Sequence, residues 1–199
     1  MRKSLILAIG IAMAFLVGTT AGQAETKSYW DQATKQFIEY DSGRMLGRSS
    51  IKRKDVKYDG PYGPNTIVIN TSERRLYHIS DGGKAIKYGI GVGRAGFEWS
   101  GKNRISRKAE WPGWTPPPQM IARERAKGIV LPAYMEGGTN NPLGARALYI
   151  GSTLYRIHGT REPWTIGQAV SSGCIRLTND DIVHLYDRVK VGTKVVVLR

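Results

Sequence analysis

From Asn65 onward the chain is written in short apolar runs separated by turn residues. Thr66-Ile67-Val68-Ile69 is apolar and β-branched, and Arg74-Arg75-Leu76-Tyr77-His78-Ile79 follows after the turn residues Asn70-Thr71-Ser72-Glu73. Asp81-Gly82-Gly83 is a hairpin signal, and Lys84-Ala85-Ile86-Lys87-Tyr88-Gly89-Ile90 alternates with a period of two. Together these predict an antiparallel meander. Ile105 to Trp111, Ala147 to Ile150, Thr153 to His158 and Lys194 to Leu198 read as further strands. Helical periodicity is scarce. Gln119 to Lys127 suits one short helix. Thr178-Asn179-Asp180-Asp181 resembles a capping box, after which Ile182, Leu185, Tyr186 and Val189 fall at i, i+3, i+4 and i+7. The predicted fold class is mainly β with few helices, a sandwich or barrel-like domain over residues 64–199.

Residues 25–63 break this grammar. They are polar and basic, are densest in charge at Lys52-Arg53-Lys54, and end in the breaker cluster Asp59-Gly60-Pro61-Tyr62-Gly63-Pro64. They read as a basic linker or arm. Residues 1–24 read as a signal peptide: Arg2 and Lys3 precede an uncharged apolar run from Leu5 to Val17, and Gly22-Gln23-Ala24 offers small residues for cleavage. The apolar run falls short of the ~20 residues a membrane span takes. The expected location is therefore the periplasm. The formal charge of +14 becomes +12 without Arg2 and Lys3. Such a balance favours polyanions. In an exported protein a cell wall rich in peptide carboxylates, or an anionic membrane surface, fits better than nucleic acid, which is not an expected partner.

Gly91-Val92-Gly93-Arg94-Ala95-Gly96 imitates a dinucleotide loop, but Phe97-Glu98-Trp99-Ser100-Gly101 does not open the helix such a loop needs. Asn103 stands where a phosphate loop ending in Gly101-Lys102 would need Ser or Thr. These glycines instead suit tight turns and close backbone approach. Trp111-Pro112-Gly113-Trp114-Thr115-Pro116-Pro117-Pro118 reads as neither regular helix nor central strand, since Pro blocks both. Its two indoles either wall a groove or fasten the loop to the core. His78 is read as a strand residue, since nothing around it has metal-ligand spacing. His184 is expected to point away from the apolar stripe of its helix.

One cysteine remains, Cys174, in Ser171-Ser172-Gly173-Cys174-Ile175-Arg176-Leu177, sixteen positions after His158. A free thiol titrates at about 8.5 and needs a base to become nucleophilic at neutral pH. His158 ends a predicted strand, Gly159 allows a turn, and Ser172-Gly173 makes a second turn before Cys174. Two adjacent strand ends would bring sulfur and imidazole together. The N–H groups of Gly173 and Cys174 would then face an oxyanion, and Arg176 would favour a thiolate or a substrate carboxylate. A small buried hydrophobe is the alternative for a lone cysteine, but Ser-Ser-Gly and Arg are poor core neighbours. Arg161 and Trp164 lie in the connection between the two residues. Arg161 either pairs with a substrate carboxylate or is surface.

His158-Gly159-Thr160, followed by Ser171-Ser172-Gly173-Cys174-Ile175-Arg176, resembles the L,D-transpeptidase catalytic domain, also called YkuD-like. The likeness extends through Asn141-Pro142-Leu143-Gly144-Ala145-Arg146-Ala147-Leu148-Tyr149 and covers about residues 64–199. In one departure Ser172 stands where many members carry a second His. The resemblance implies Cys174 as nucleophile, His158 as base, and the Gly159 carbonyl orienting His158. Ser172, Gly173, Arg176, Arg161 and Trp164 are the expected substrate contacts. It further implies acyl transfer on peptidoglycan tetrapeptide stems without metal or organic cofactor, and acylation by carbapenems; a monomer is expected. The acceptor stays open between a second stem peptide, an outer-membrane protein or lipoprotein, and water. A hydrolase on the same stems and a non-catalytic wall-binding module are the alternatives.

Overall fold

The computed structural model describes residues 26–31, 36–41, 49–95 and 97–199. The proposed signal peptide, residues 1–24, lies outside them. Strands β1 (Thr26–Asp31) and β2 (Gln36–Asp41) pair with each other as an antiparallel hairpin. The remaining strands in chain order are β3 (Lys54–Lys57), β4 (Thr66–Asn70), β5 (Arg75–Ser80), β6 (Lys84–Gly89), β7 (Val92–Gly93), β8 (Gly101–Glu110), β9 (Arg146–Ile150), β10 (Arg156–His158), β11 (Ala169–Ser171), β12 (Ile175–Arg176) and β13 (Lys194–Leu198). Two α-helices are described, α1 (Pro118–Arg125) and α2 (Asn179–Tyr186).

Among the described residues nine strands form one sheet in the order β12-β10-β9-β8-β13-β4-β5-β6-β3. The predicted meander is its β4-β5-β6 part, paired antiparallel throughout. β4 and β13 lie side by side and parallel at the centre. Their unbroken apolar runs follow from burial on both faces. Ile67, Ile69, Val195 and Val197 enter the main core, while Val68 enters a smaller cluster on the reverse face. The sheet curls until its β12 edge meets the chain just beyond β6. Gly91 and Arg176 exchange two backbone hydrogen bonds there, both 2.9 Å. The predicted barrel-like β architecture is what forms.

α2 covers one side of the main core with Ile182 and Leu185, and Val189 just beyond the helix joins them. The Thr178 hydroxyl accepts from the Asp181 N–H at 3.1 Å, as the capping pattern requires. At the other end Lys108 Nζ donates to the Tyr186 and Val189 carbonyls at 2.6 Å each, a cation on the negative end of the helix. His184 does not simply face solvent: its Nδ1 is 2.8 Å from the Tyr88 hydroxyl. His78 is buried in β5, with no partner for Nδ1 among the described residues.

The sheet begins upstream of residue 64. β3 pairs antiparallel with β6, and Tyr58 and Tyr62 cover the reverse-face cluster of Val68, Ile79 and Ala85. Arg53 pairs with the buried carboxylate of Asp181 at 2.9 Å. Residues 49–63 are therefore part of the folded domain rather than a free arm. β3 is an edge strand, where charges prevent further strand pairing. Its sequence Lys-Asp-Val-Lys consequently carries one apolar residue and no readable alternation. β8 likewise starts four residues before its first apolar position, Ile105, because β13 pairs with residues 101–104, and β9 joins only from Ile105 onward.

Removing the Arg53 guanidinium leaves Asp181 as a buried carboxylate without its cation. Because Arg53 is itself partly open to solvent, Arg53→Ala is expected to cost about 1–2 kcal/mol of unfolding free energy, read by urea denaturation. No change would detach this segment from the domain's stability.

Candidate active site

β10 is held on both sides, antiparallel to β9 and parallel to β12. In the parallel register Ile157 faces Ile175 and His158 faces Arg176. Side chains alternate across a strand. Ile157 and Ile175 both point into the main core and are at most 1% exposed. Arg156, His158, Cys174 and Arg176 are thereby turned to the other side, where all four line one cavity of about 600 Å³. Another cleft of about 640 Å³, lined by Tyr62, Lys102, Arg104 and Lys194 among others, shares no residue with it.

The turn before Cys174 is tightly tied. Ser171 Oγ donates to the Cys174 carbonyl at 2.6 Å and accepts from the Gly173 N–H at 3.1 Å. The Gly173 N–H is therefore engaged, which corrects its expected availability to an oxyanion. Trp99 Nε1 donates to the Gly173 carbonyl at 3.0 Å, and its indole stacks on Tyr155 with ring centres 4.6 Å apart. A planar trans peptide points its N–H opposite to its carbonyl. Trp99 thus aims the Cys174 N–H away from itself, and no described residue accepts from it. Of the Gly173 and Cys174 N–H groups expected to face an oxyanion, only that of Cys174 is left open among the described residues. Gly173 has φ of +101°, and a side chain there would run into the Tyr155 ring.

His158 is buried, and its Nδ1 lies 2.6 Å from the Gly159 carbonyl. A carbonyl only accepts, so Nδ1 carries the proton and Nε2 is left as the base. Gly159 has no side chain because a Cβ would collide with Asn179 and Ile182 of α2. Asn179 Oδ1 in turn accepts from the Ala145 N–H at 2.9 Å. The helix start thus presses directly against the residue that orients the imidazole.

Burial pushes the His158 imidazole down to about 3, with the Arg176 charge acting in the same direction and the Gly159 carbonyl opposing. Burial pushes the Cys174 thiol up, opposed by hydrogen bonding from Arg156 and by the charges of Arg156 and Arg176. The resting pair is therefore thiol and neutral imidazole. Arg176 is itself paired, its Nη1 lying 2.9 Å from the Glu162 carboxylate. Cys174 Sγ itself sits 3.9 Å from the Leu154 carbonyl.

The opposite wall comes from the excursion between β8 and β9. Trp114 exchanges two 2.8 Å backbone hydrogen bonds with Met135, closing the excursion on itself. Trp114, Pro117, Met120 and Leu143 give the cavity an apolar lining, while Trp111 is exposed. Of the expected contacts, Ser172 and Arg176 line the cavity. Gly173 contributes backbone support. Arg161 and Trp164 are outside the lining: Arg161 is exposed and donates to the Asn140 carbonyl at 3.3 Å, and Trp164 lies on a 3₁₀ turn, Pro163–Thr165. Sequence reasoning missed Arg94, Arg123, Arg156 and Tyr155. Only the alternation of Arg156 with His158 was a usable signal. Among the described residues no group of three or more His, Cys, Asp or Glu is placed to hold a metal ion.

This β architecture matches known proteins. The family model for the L,D-transpeptidase catalytic domain, YkuD, covers residues 64–197, and the chain belongs to this family. It is 44% identical over 137 residues to the probable L,D-transpeptidase ErfK/SrfK of Escherichia coli, a match covering 66% of this chain and 43% of that protein. It is 46% identical over 134 residues to the probable L,D-transpeptidase YbiS of the same organism, covering 65% and 43%. The chain thus spans less than half the length of these relatives. An L,D-transpeptidase from Mycobacterium smegmatis superposes with a TM-score of 0.51 at 19% identity, over 92% of this chain and 81% of that one, a likeness of fold.

Two outcomes are expected. Alkylation of Cys174 by iodoacetamide should accelerate with pH through 7 and beyond about 9, because burial keeps the sulfur protonated; a flat rate between pH 5 and 8 would reveal a preformed thiolate instead. Gly173→Ala should cost at least about 2 kcal/mol in chemical denaturation, from positive φ and from the displaced Tyr155 ring.

Proposed function

We propose that the protein is an exported cysteine L,D-transpeptidase acting on peptidoglycan tetrapeptide stems. The observation that carries this reading is the shared wall of Cys174 and His158, with Nδ1 of His158 held by the Gly159 carbonyl. Nε2 takes the thiol proton as sulfur attacks the carbonyl of the L-centre of the diamino acid. The Cys174 N–H receives the developing oxyanion. The C–N bond to the terminal D-alanine breaks, and its nitrogen leaves with the proton from His158. A thioester remains on Cys174. An acceptor amine then attacks it, His158 removes the amine proton, and the departing sulfur recovers that proton. The new bond is an amide.

The amine is that of a second stem peptide, giving a wall crosslink, or of an envelope protein, giving an anchor to the wall. The apolar lining from Trp114, Pro117, Met120 and Leu143 supports transfer over hydrolysis, because it keeps water from the thioester. Expected location is the periplasm, and the basic surface favours the acidic wall. Ser172 in place of the family's second His is compatible with this chemistry, since no step above is assigned to that position.

Incubation with purified tetrapeptide muropeptides, followed by intact-mass and product mass spectrometry, tests the proposal. Wild type should release D-alanine and show a transient acyl adduct, Cys174→Ala should show neither, and His158→Ala should slow adduct formation by about 10²- to 10⁴-fold. Crosslinked dimers identify a stem acceptor, an acylated envelope protein identifies an anchor, and tripeptides alone identify hydrolysis. A folded wild-type protein that forms no adduct would leave a wall-binding module.

A further inference from the structure

Two arginines far apart in sequence converge on one hydroxyl beside the nucleophile. Arg94 Nη2 and Arg123 Nη2 each donate to Ser172 Oγ at 3.3 Å. Both guanidinium groups also lie near the Phe97 ring, their centres 5.3 and 5.6 Å from its centroid. Arg123 and Ser172 line the Cys174 cavity, and Arg94 reaches Ser172 from behind it.

This arrangement is incomplete as it stands. A hydroxyl is neutral and offsets neither charge, and 3.3 Å is longer than the roughly 2.7–2.9 Å of a charge-assisted bond. The nearby carboxylate, Glu124, is shared between Arg123 Nε at 3.0 Å and Lys127 Nζ at 3.3 Å. Arg94 Nε is buried without a partner among the described residues. Burial, and the Arg123 charge, weaken the hold of Arg94 on its proton. By accepting from both arginines, Ser172 Oγ keeps its own single proton free to donate. Arg123 and Ser172 therefore offer two donors toward the cavity with an excess of positive charge behind them.

We propose that Arg123 and Ser172, with Arg94 as a supporting charge, form a subsite for a free carboxylate of the peptide that enters the Cys174 cavity. The subsite rests on the reading of the cavity as a peptide acyl-transfer site. Ser172 is two residues from Cys174, so their backbones are within about 7 Å. The recognised carboxylate is therefore one near the acylated carbonyl. It belongs to the donor, on the D-centre of the diamino acid or on the leaving D-alanine, or to the acceptor beside its amine. Arg123 contacts it; Arg94 is a positioning residue acting through Ser172.

The test compares the full mature chain with Arg123→Met, Arg123→Lys and Arg94→Met, using the tetrapeptide and donors and acceptors amidated at single carboxylates. No residue of α1 is buried, so the Arg123 variants should fold. Arg123→Met is expected to raise KM for the peptide bearing the recognised carboxylate by about 10- to 100-fold with a smaller change in kcat. It should cause no further loss once that carboxylate is amidated. Arg123→Lys should recover part of the loss, and Arg94→Met should shift KM the same way by less. The amidated position that abolishes the Arg123 dependence identifies donor or acceptor. Equal losses on charged and amidated peptides, or no loss on any, would overturn the subsite. Calorimetric titration of tetrapeptide and acceptor peptide into Cys174→Ala separates this from failure of the transfer reaction. Carboxylate- and Arg123-dependent binding there, with no thioester in wild type, keeps the subsite and removes the transferase. Normal thioester formation with an indifferent Arg123 does the reverse.

Discussion

The site depends on the parallel pairing of β10 with β12. Ile157 and Ile175 face each other across that ladder and are buried in the main core. Their burial decides the facing of every neighbour. A slip of one residue would send His158 into aliphatic packing and turn an isoleucine into the cavity. Burial of two isoleucines is thus the force that sets a thiol and an imidazole on one wall. β9 on the far side of β10, and the backbone exchange between Gly91 and Arg176 beyond β12, keep the pair from shifting.

The same burial that positions the pair also sets its resting charge. Desolvation opposes both a thiolate and an imidazolium, and here it prevails over Arg156 and Arg176 for the sulfur. Burial thus favours the thiol form of Cys174 and the neutral form of His158, whose Nδ1 is held by the Gly159 carbonyl. A protonated sulfur is also slower to oxidise than a thiolate. For His158, whose value is lowered, neutral burial contributes stability above about 6.5 that is lost as pH falls toward about 3.

Around this pair the fold spends its specificity on backbone control. Ser171 closes the turn from both ends, Trp99 fixes the peptide that precedes Cys174, and α2 packs against Gly159 without an intervening side chain. Of the two N–H groups expected from the Gly-Cys turn, that of Gly173 is taken by Ser171 and that of Cys174 stays open among the described residues. The remaining polarity of the cavity comes from arginines, and the apolar part from the excursion that carries α1. The β-strand content and the family membership agree with this architecture from independent directions.

Wherever local periodicity was sufficient, the chain could be read directly. The β4-β5-β6 meander, the Thr178 cap and the stripe of α2 follow from spacing, because their determinants lie within a few residues of one another. The presence of a cysteine just after turn residues and a histidine at a strand end was equally legible. What was not legible depends on neighbours distant in sequence. β3 is a strand because β6 offers it an edge, and its charges exist to end the sheet there. The Gly173 N–H is taken by Ser171, and Arg161 and Trp164 fall outside the cavity lining, although Glu162 between them grips the lining residue Arg176. Arg94 and Arg123 meet at Ser172 only after the sheet has curled and the excursion has folded back. The residue types and local elements were determined by short-range sequence; which side chains share a cavity, and how strongly burial shifts them, was decided by tertiary packing, since desolvation and long-range register have no local signature.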